Sequence, residues 1–225
     1  MKFSIKEIME RDLKIDWATY EAAKYACENW HYSKCLPIGK LVKVGVWEKG
    51  RFIGVVLFAR GASPFLGKKF NLRQDEICEL VRVALRKHEN PVSKIIAISL
   101  NFLKRLNKGL KLTVSFADSN QGHHGGIYQA GNWIYSGKSN KTTEVFMNGK
   151  WTHMRNAYHK KNAKSKTRIT EGKHRYLMPL DKKIRQTIIK LSKPYPKRAQ
   201  NIDSDVSSYQ DEKGSANLTC ALQLS

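Results

Sequence analysis

The chain has few cysteines, no long apolar run and few acidic residues, and each shortage narrows what the protein can be. Its four cysteines stand at positions 27, 35, 78 and 220, without a CxxC pair or zinc-finger spacing, so neither a disulfide framework nor a zinc module is expected. No run of 18 apolar residues occurs, and the first 14 residues, MKFSIKEIMERDLK, are charged throughout. We therefore expect no membrane span and no signal peptide, and a reducing cytoplasm as the compartment.

The shortage of acidic residues is the most pronounced. The chain has 41 Lys and Arg but only 19 Asp and Glu, which gives a formal charge of +22 on 225 residues. Such a charge destabilises a compact chain by self-repulsion and therefore indicates a polyanionic partner. Nucleic acid is the expected partner, and an anionic membrane surface is the alternative. Residues 138–198 hold 18 of the basic and three of the acidic residues, and residues 199–225 hold four acids and one Lys. The composition of this last segment predicts a disordered tail.

Helical and strand patterns alternate along the chain. The spacing of aromatic and small residues predicts a helix over 17–30, and a β-hairpin follows at 41–48 and 51–59 with its turn at Lys49-Gly50. Strands are expected at 78–85 and 112–118, on either side of a helix at 91–106. Further elements are predicted as a short helix at 124–131, strands within 132–138 and 142–154, and a helix at 181–192. The pattern predicts an α/β fold, with a mixed central sheet flanked by helices.

The strongest candidate for an active site is the stretch VSFADSNQGHHGGIYQAGNWIY, residues 114–135. A strand ends there at Asp118, and a loop with three glycines and two histidines leads into a helix that carries Tyr128. The glycines allow positive φ and let the backbone approach a ligand. Asp118 lies at the carboxyl end of a central strand, where it could act as a base or hydrogen-bond acceptor, or simply cap the loop. Tyr128 is interpreted as a functional residue, with a core tyrosine as the alternative.

Two more residues are candidates for holding a donor. Arg82 alternates with Leu80 and Ala84 on a strand that is expected to be buried, and a buried guanidinium is costly unless it is paired. It could pair with Asp118 or bind an anionic group on the substrate or donor. Ser93, in the first turn of the helix at 91–106, could present its hydroxyl and amide to an anion or serve as an ordinary cap.

The remaining candidates are His31 and Tyr32 in WHYS, with His123 and His124. His31, Tyr32 and His124 form a candidate set of ligands for a metal such as iron, although no HxH, HExxH or facial-triad spacing is present. The alternative is that these histidines are ordinary hydrogen-bonding residues. In the basic segment, Lys and Arg alternate with aromatic residues, as on surfaces that contact phosphates and stack on bases. The residues expected to contact DNA there are Lys160, Lys161, Arg168, Arg175, Lys182 and Lys183.

Several strings together resemble a known family. CELVRVAL, PVSKIIAISLNFLKRL, LTVSFAD and GGIYQAGNWIYSG follow the order of the GNAT acyltransferase fold. With WHYSKCLP, NPVSK and KHRYLMP, they resemble the phage Mom DNA-modification proteins over roughly residues 25–198. This resemblance implies a GNAT-like catalytic domain at 1–158, a basic DNA-binding extension at 159–198 packed on it, and a tail at 199–225. It also implies a phage or prophage protein that acts in the cytoplasm of a bacterial host.

The resemblance implies conversion of adenine in phage DNA to N6-carbamoylmethyladenine, which protects the DNA from host restriction. Tyr128 matches the tyrosine that protonates the leaving group in the acyltransferase fold. Chemistry on an adenine amine requires the base to leave the duplex stack, and Tyr32, Trp133 or Tyr135 is expected to stack on it.

The donor is left open by one departure from the acyltransferase pattern. The loop RKHENPVS contains none of the glycines that cradle the coenzyme A pyrophosphate, and Pro91 removes one amide donor. An acyl-coenzyme A, an aminoacyl-tRNA and a less usual activated glycine-like compound are all candidate donors. The rival functions are N-acetylation of a protein or small amine, and nucleic-acid binding without catalysis.

Overall fold

The computed structural model has a main sheet of seven strands and a second sheet of three strands. The structure describes residues 12–61, 63–147, 149–154 and 166–197. The strands are β1 (Leu13–Trp17), β2 (Leu41–Glu48), β3 (Arg51–Ala59), β4 (Ile77–Leu85), β5 (Leu112–Ala117), β6 (Ile134–Lys138), β7 (Thr142–Met147), β8 (Lys150–His153), β9 (Thr167–Thr170) and β10 (His174–Pro179). The helices are α1 (Tyr20–Trp30), α2 (Val92–Leu106), α3 (Gly126–Ala130) and α4 (Lys182–Ile189). The strand order is β1-β2-β3-β4-β5-β10-β6 in the main sheet and β8-β7-β9 in the second sheet.

The β2–β3 hairpin is confirmed, and its turn follows from local geometry. Lys49 and Gly50 both have positive φ, at 49° and 74°, as a two-residue turn that matches the strand twist requires. Glu48 pairs directly with Arg51 across this turn. The antiparallel ladder therefore begins at the turn itself, and β1 extends the sheet on the far side of β2.

The centre of the sheet is a parallel pair, β4 and β5, joined by α2, as the sequence predicts. Backbone pairing between the two strands runs only from Ile77 to Leu80 on β4, opposite Leu112 to Ser115 on β5. On its other edge β4 stays paired with β3, but the register shifts where Leu57 and Phe58 face Arg82 and Leu80. This irregularity is a β-bulge. The two parallel strands therefore part at their carboxyl ends and leave an opening in the sheet.

Helices cover both faces of the sheet. On one face, α2 buries Ile95, Ile96 and Leu100 in a cluster that also contains Tyr128 and Trp133. On the other face, α1 packs Ala23 and Ala26 against β3, and α4 packs Ile188 in the cluster that contains Leu177 of β10. The predicted fold class, a mixed α/β sheet flanked by helices, is confirmed. No helix among the described residues is long and apolar enough to cross a bilayer.

The structure corrects the prediction at both ends of the domain. The helix predicted from residue 17 begins at Tyr20, because Trp17 ends β1 and Thr19 caps the helix by accepting a hydrogen bond from the Ala22 amide at 3.1 Å. The strands predicted within 142–154 do not complete the main sheet; β7 and β8 form the separate sheet with β9.

The stretch expected to form a basic extension supplies part of the main sheet. β10 lies between β5 and β6 and pairs antiparallel with both. The expected boundary at residue 158 therefore does not separate two units, because a strand from beyond it completes the core. Lys160, Lys161 and the expected tail at 199–225 lie outside the described residues.

Candidate active site

The parting of β4 and β5 produces a cavity of about 500 Å³ at the carboxyl end of the parallel pair. Its walls come from the end of α1, the middle of β4, the end of β5 and the glycine-rich loop that leads into α3. These segments are far apart in sequence, and the cavity brings together most of the predicted site. The predicted residues that line it are His31, Tyr32, Arg82, Asp118, His123, His124 and Tyr128.

Asp118 follows β5 directly and forms an ion pair with Lys173, whose Nζ lies 3.0 Å from Oδ2. Lys173 immediately precedes β10, which places it beside the end of β5 because the two strands are paired. The carbonyl of Asp118 also accepts hydrogen bonds from the amides of Gln121 and His123. Asp118 therefore organises the loop through its backbone carbonyl and also lines the cavity. Its role as a base or hydrogen-bond acceptor stays a prediction.

Tyr128 extends from α3 to the floor of the cavity and is buried. Ser115 Oγ lies 2.7 Å from both Tyr128 Oη and the carbonyl oxygen of Leu80. A serine hydroxyl has one proton and a carbonyl can only accept, so when Ser115 bonds to Leu80 the phenol is the donor to Ser115. Burial raises the pKa of Tyr128 to about 12. The phenol is therefore neutral at physiological pH and retains a proton.

Arg82 lines the cavity, and its side chain contacts the segment that follows α1. One of its terminal nitrogens donates to the carbonyl of Cys35, while Nε is buried without a hydrogen-bond partner among the described residues. The ion pair that the structure gives Asp118 is with Lys173, so the predicted pairing of Arg82 with Asp118 is not observed. The remaining interpretation is that Arg82 offers positive charge to an anionic group in the cavity.

His31, Tyr32 and His123 form an aromatic cluster at the rim. The Tyr32 ring lies 4.2 Å from the His31 ring and 5.0 Å from the His123 ring, between centroids, and Tyr32 is 58% exposed. Burial, followed by the charge of Arg82, lowers the pKa of His31 to about 3. Its Nδ1 accepts a hydrogen bond from the Ser33 amide. His31 is therefore a neutral imidazole.

The candidate metal set receives no further ligands from the fold. His31 and His124 both line the cavity. Within the described ranges, however, no three His, Cys, Asp or Glu side chains lie close enough together to hold a metal ion.

Residues of β10 and α3 hold the glycine-rich loop in place, and sequence reasoning missed this role. Tyr176 Oη donates to the carbonyl of His124, and Gln129 Nε2 donates to the same carbonyl at 3.1 Å. Gln129 also reaches the carbonyl of Pro196 at 3.2 Å. Tyr176 belongs to KHRYLMP, one of the strings that carry the family resemblance, which was the available signal. Lys173 and Ser115 lie in KHRYLMP and LTVSFAD, two of the same strings. They were also missed, because the local pattern does not show what their side chains contact.

Other predicted residues lie away from the cavity. Trp133 is 1% exposed and Tyr135 is 8% exposed, both in the core, so neither ring is available to stack on a base and Tyr32 is the remaining candidate. Ser93 lies half-buried in the first turn of α2 and does not line the cavity.

The described basic residues occupy three places. Arg168 on β9 pairs with Glu144 at 2.8 Å and lies over the Trp151 ring at 4.4 Å. Lys182 and Lys183 are exposed in the first turn of α4. Arg175 projects from β10 onto the face of the sheet that α4 covers, where it donates to Ser136.

The fold and the cavity define a class of protein: a mixed α/β domain with a polar cavity at the carboxyl end of its parallel strands, where such sheets bind ligands. The chain belongs to the Mom protein family, whose model matches residues 12–197, and the resemblance seen in the sequence is confirmed. A similar protein is the methylcarbamoylase mom of Escherichia phage Mu, which is 26% identical over 205 residues, or 83% of this chain and 85% of that protein.

Two solved structures are similar to this chain at 12% sequence identity. One is from Salmonella typhimurium, is described as an acetyltransferase with its cofactor acetyl-CoA, and gives a TM-score of 0.45 over 76% of this chain and 95% of its own. The other is described as an acetyltransferase from Acinetobacter baylyi and gives 0.43 over 75% and 92%.

Proposed function

We propose that this protein is a DNA-modifying transferase that converts adenine to N6-carbamoylmethyladenine in phage DNA and so protects it from host restriction. The observation that carries the proposal is that one cavity, in a chain of the Mom family, is lined by Asp118, Tyr128 and Arg82. The similarity to a methylcarbamoylase of phage Mu supports the group that is transferred. The site of action is the cytoplasm of the bacterial host.

The target adenine leaves the duplex stack before it enters the cavity. Inside the duplex, the residues of a cavity could not reach N6 of the base. Tyr32 is the aromatic residue at the rim that is both exposed and part of the cavity lining. Its ring stacks on the extruded base, a contact worth about 1–3 kcal/mol per base. The glycines of the neighbouring loop leave room for the base beside Asp118.

Asp118 orients the amine and accepts its proton. The lone pair of adenine N6 is delocalised into the ring, so a hydrogen bond to a carboxylate favours attack on the donor carbon. In this step the bond from N6 to the donor carbon forms, the bond from that carbon to its leaving group breaks, and the N6 proton passes to Asp118. Lys173, 3.0 Å from the carboxylate, holds it in a fixed orientation. His31 is a poor base, since its pKa is about 3.

Tyr128 protonates the leaving group of the donor. Its phenol keeps its proton at physiological pH, because burial raises the pKa to about 12. When that proton passes to the leaving group, the Ser115 hydroxyl can turn from the Leu80 carbonyl and donate a hydrogen bond to the phenolate, 2.7 Å away.

Arg82 binds an anionic part of the donor. The anion would neutralise the Arg82 guanidinium, for which the structure shows no carboxylate partner among the described residues. An acyl-coenzyme A and an aminoacyl-tRNA are the donor classes that fit this requirement. A glycyl group from either would first give N6-glycyladenine, an isomer of the product, and attack of its amine on C6 with cleavage of the original C6–N6 bond would give N6-carbamoylmethyladenine.

The decisive experiment is mass spectrometry of nucleosides from the DNA of cells that express the protein. We expect deoxyadenosine with the added mass of a carbamoylmethyl group from the wild type and unmodified deoxyadenosine from Asp118→Asn. Soluble, abundant wild-type protein with no modified deoxyadenosine would overturn the proposal.

Two further readouts separate the rival functions. Acetylation of proteins or small amines by purified protein with acetyl-CoA would indicate an N-acetyltransferase. DNA binding by the wild type that Asp118→Asn leaves intact, with no modified base from either protein, would indicate a nucleic-acid-binding protein without catalysis.

A further inference from the structure

Three cations from separate segments gather on the face of the sheet that α4 covers. Lys69 lies in the short 3₁₀ turn Lys68–Phe70, Arg175 lies on β10, and Lys193 lies four residues after the end of α4. The charge of Arg175, then desolvation, then the charge of Lys193 lower the pKa of Lys69, so the three positive groups are close enough to repel one another. We call these three residues the β10 cation cluster.

The fold holds Arg175 rigidly within this cluster. Its Nε donates to Ser136 Oγ at 2.8 Å and one terminal nitrogen donates to the Ser136 carbonyl at 3.3 Å, while the side chain is half-buried. The chain after α4 is fixed as well, since the Lys193 amide donates to the Tyr135 carbonyl at 2.8 Å. The Lys193 side chain passes over Gly137, where a Cβ would lie 3.2 Å from Nζ. Two of the three cations are therefore positioned by the sheet itself.

No carboxylate neutralises the cluster within the part of the chain that the structure describes. Other cations nearby are paired: Lys141 lies 2.7 Å from Glu171 and Arg168 lies 2.8 Å from Glu144. Holding like charges together costs free energy, and a bound anion offsets that cost. A guanidinium held through its Nε, beside two ammonium groups, suits the several oxygens of a phosphate.

The cluster lies at the same end of the sheet as the cavity. Arg175 pairs with Phe116 across the β5–β10 ladder, and Phe116 is one of the residues that line the cavity. His174, the preceding residue of β10, pairs with Ala117, which also lines it. Because adjacent strands are about 4.8 Å apart, Arg175 lies one strand away from a residue that lines the cavity.

We propose that the β10 cation cluster binds one backbone phosphate of the DNA duplex close to the target adenine and so sets where the duplex lies when the base is extruded. This inference rests on the proposed function for the identity of the duplex. It adds two lysines to the expected DNA contacts: Lys193 from the basic segment and Lys69 from outside it.

Binding of full-length protein to a fluorescent duplex with a single adenine tests the proposal. Lys69→Gln/Lys193→Gln should raise Kd about tenfold at moderate salt and reduce the log–log salt slope by about one, because the cluster neutralises one phosphate. The matched control is Lys40→Gln/Lys108→Gln, which removes the same charge from two exposed lysines at the opposite end of the sheet. Equal weakening by both variants would mean that only net charge matters and would overturn the proposal.

Neutral methylphosphonate linkages, placed one at a time around the adenine, identify the phosphate. The wild type should lose affinity at one position near the adenine, and the Lys69/Lys193 variant should lose nothing further there. Arg175→Lys should restore part of the affinity lost in Arg175→Gln. An identical methylphosphonate profile for the wild type and the double variant contradicts the proposal, as does weaker binding to tRNA with unchanged binding to DNA. Every readout is binding, so a failure to find modified adenine would count against the proposed function alone.

Discussion

Tyr176 occupies the space that a side chain at Gly125 would need. A Cβ at Gly125 would lie 2.3 Å from the ring of Tyr176, and the hydroxyl of the same tyrosine donates to the carbonyl of His124. Gly125 has φ of 84°, a conformation that other residues rarely adopt. The β10 strand, which comes from beyond the expected domain boundary, therefore determines the shape of the loop that lines the cavity.

Gly125→Ala is expected to abolish modification and lower thermal stability, because it adds a clash with Tyr176 to a left-handed backbone cost of about 1–2 kcal/mol. Differential scanning fluorimetry and nucleoside mass spectrometry measure the two effects. Gly122→Ala is the control, since Gly122 also has positive φ, at 69°, but a Cβ there meets no described atom within 4 Å. Equal losses from both substitutions would show that Tyr176 contributes nothing beyond the backbone effect.

Asp118→Asn is expected to lower the rate of modification by about 10²-fold or more, as loss of a general base does, while the protein stays folded and binds DNA. Lys173→Met removes the partner 3.0 Å away but leaves the carboxylate, so its rate should fall less. Single-turnover rates on a duplex with one adenine check both variants. Full activity in Asp118→Asn would remove the carboxylate from the proton transfer.

Tyr128→Phe is expected to lower the rate strongly and to cost about 1 kcal/mol of stability, because it removes one buried hydrogen bond. Ser115→Ala loses the same hydrogen bond at 2.7 Å but keeps the phenol. Comparison of the two variants by urea denaturation and by modification rate separates stability from catalysis. If Ser115→Ala is as slow as Tyr128→Phe, the hydrogen bond matters and proton donation by the phenol does not.

Tyr32→Ala is expected to weaken the use of DNA substrate by the equivalent of about 1–3 kcal/mol in kcat/KM, whereas Tyr32→Phe keeps the stacking surface and should retain most activity. The ring is 58% exposed, so neither change should move the melting temperature by much. A duplex with the target adenine already unpaired should be used more readily by both variants. Equal activity in the two variants would exclude stacking by Tyr32.

His31 should make stability depend on pH. Its pKa is about 3 in the folded protein against an ordinary value of 6.5, so below about pH 6.5 the unfolded chain binds a proton that the folded chain excludes. The wild type should therefore lose stability relative to His31→Gln as pH falls from 6.5 toward 3, and the two should run parallel above that window. Urea midpoints at several pH values measure this difference. A constant difference across the window would mean that His31 titrates normally.

Local patterns predicted most elements, and the reason is physical. The two residues at the β2–β3 turn need positive φ, the apolar spacing of residues 92–106 fits one face of a helix, and Asp118 marks the end of a buried strand. Each of these signals depends on neighbours in the chain. β10 could not be predicted in this way, because its residues follow a long basic segment and its place in the sheet depends on pairing with β5 and β6. Trp133 is one of the three aromatic residues that the sequence offers for base stacking, but its side chain is buried in the core.

The sequence by itself determined the family, the α/β class, the basic character of the chain and most residues of the cavity, since charge and motif are properties of the residues themselves. Only the tertiary structure decided which of these residues meet. It paired Asp118 with Lys173 and not with Arg82, and it placed Tyr176 beneath the glycine-rich loop. It also opened the cavity, because β4 and β5 stop pairing after Leu80 and Ser115. These outcomes depend on strand register and on contacts between distant segments, which no local pattern encodes.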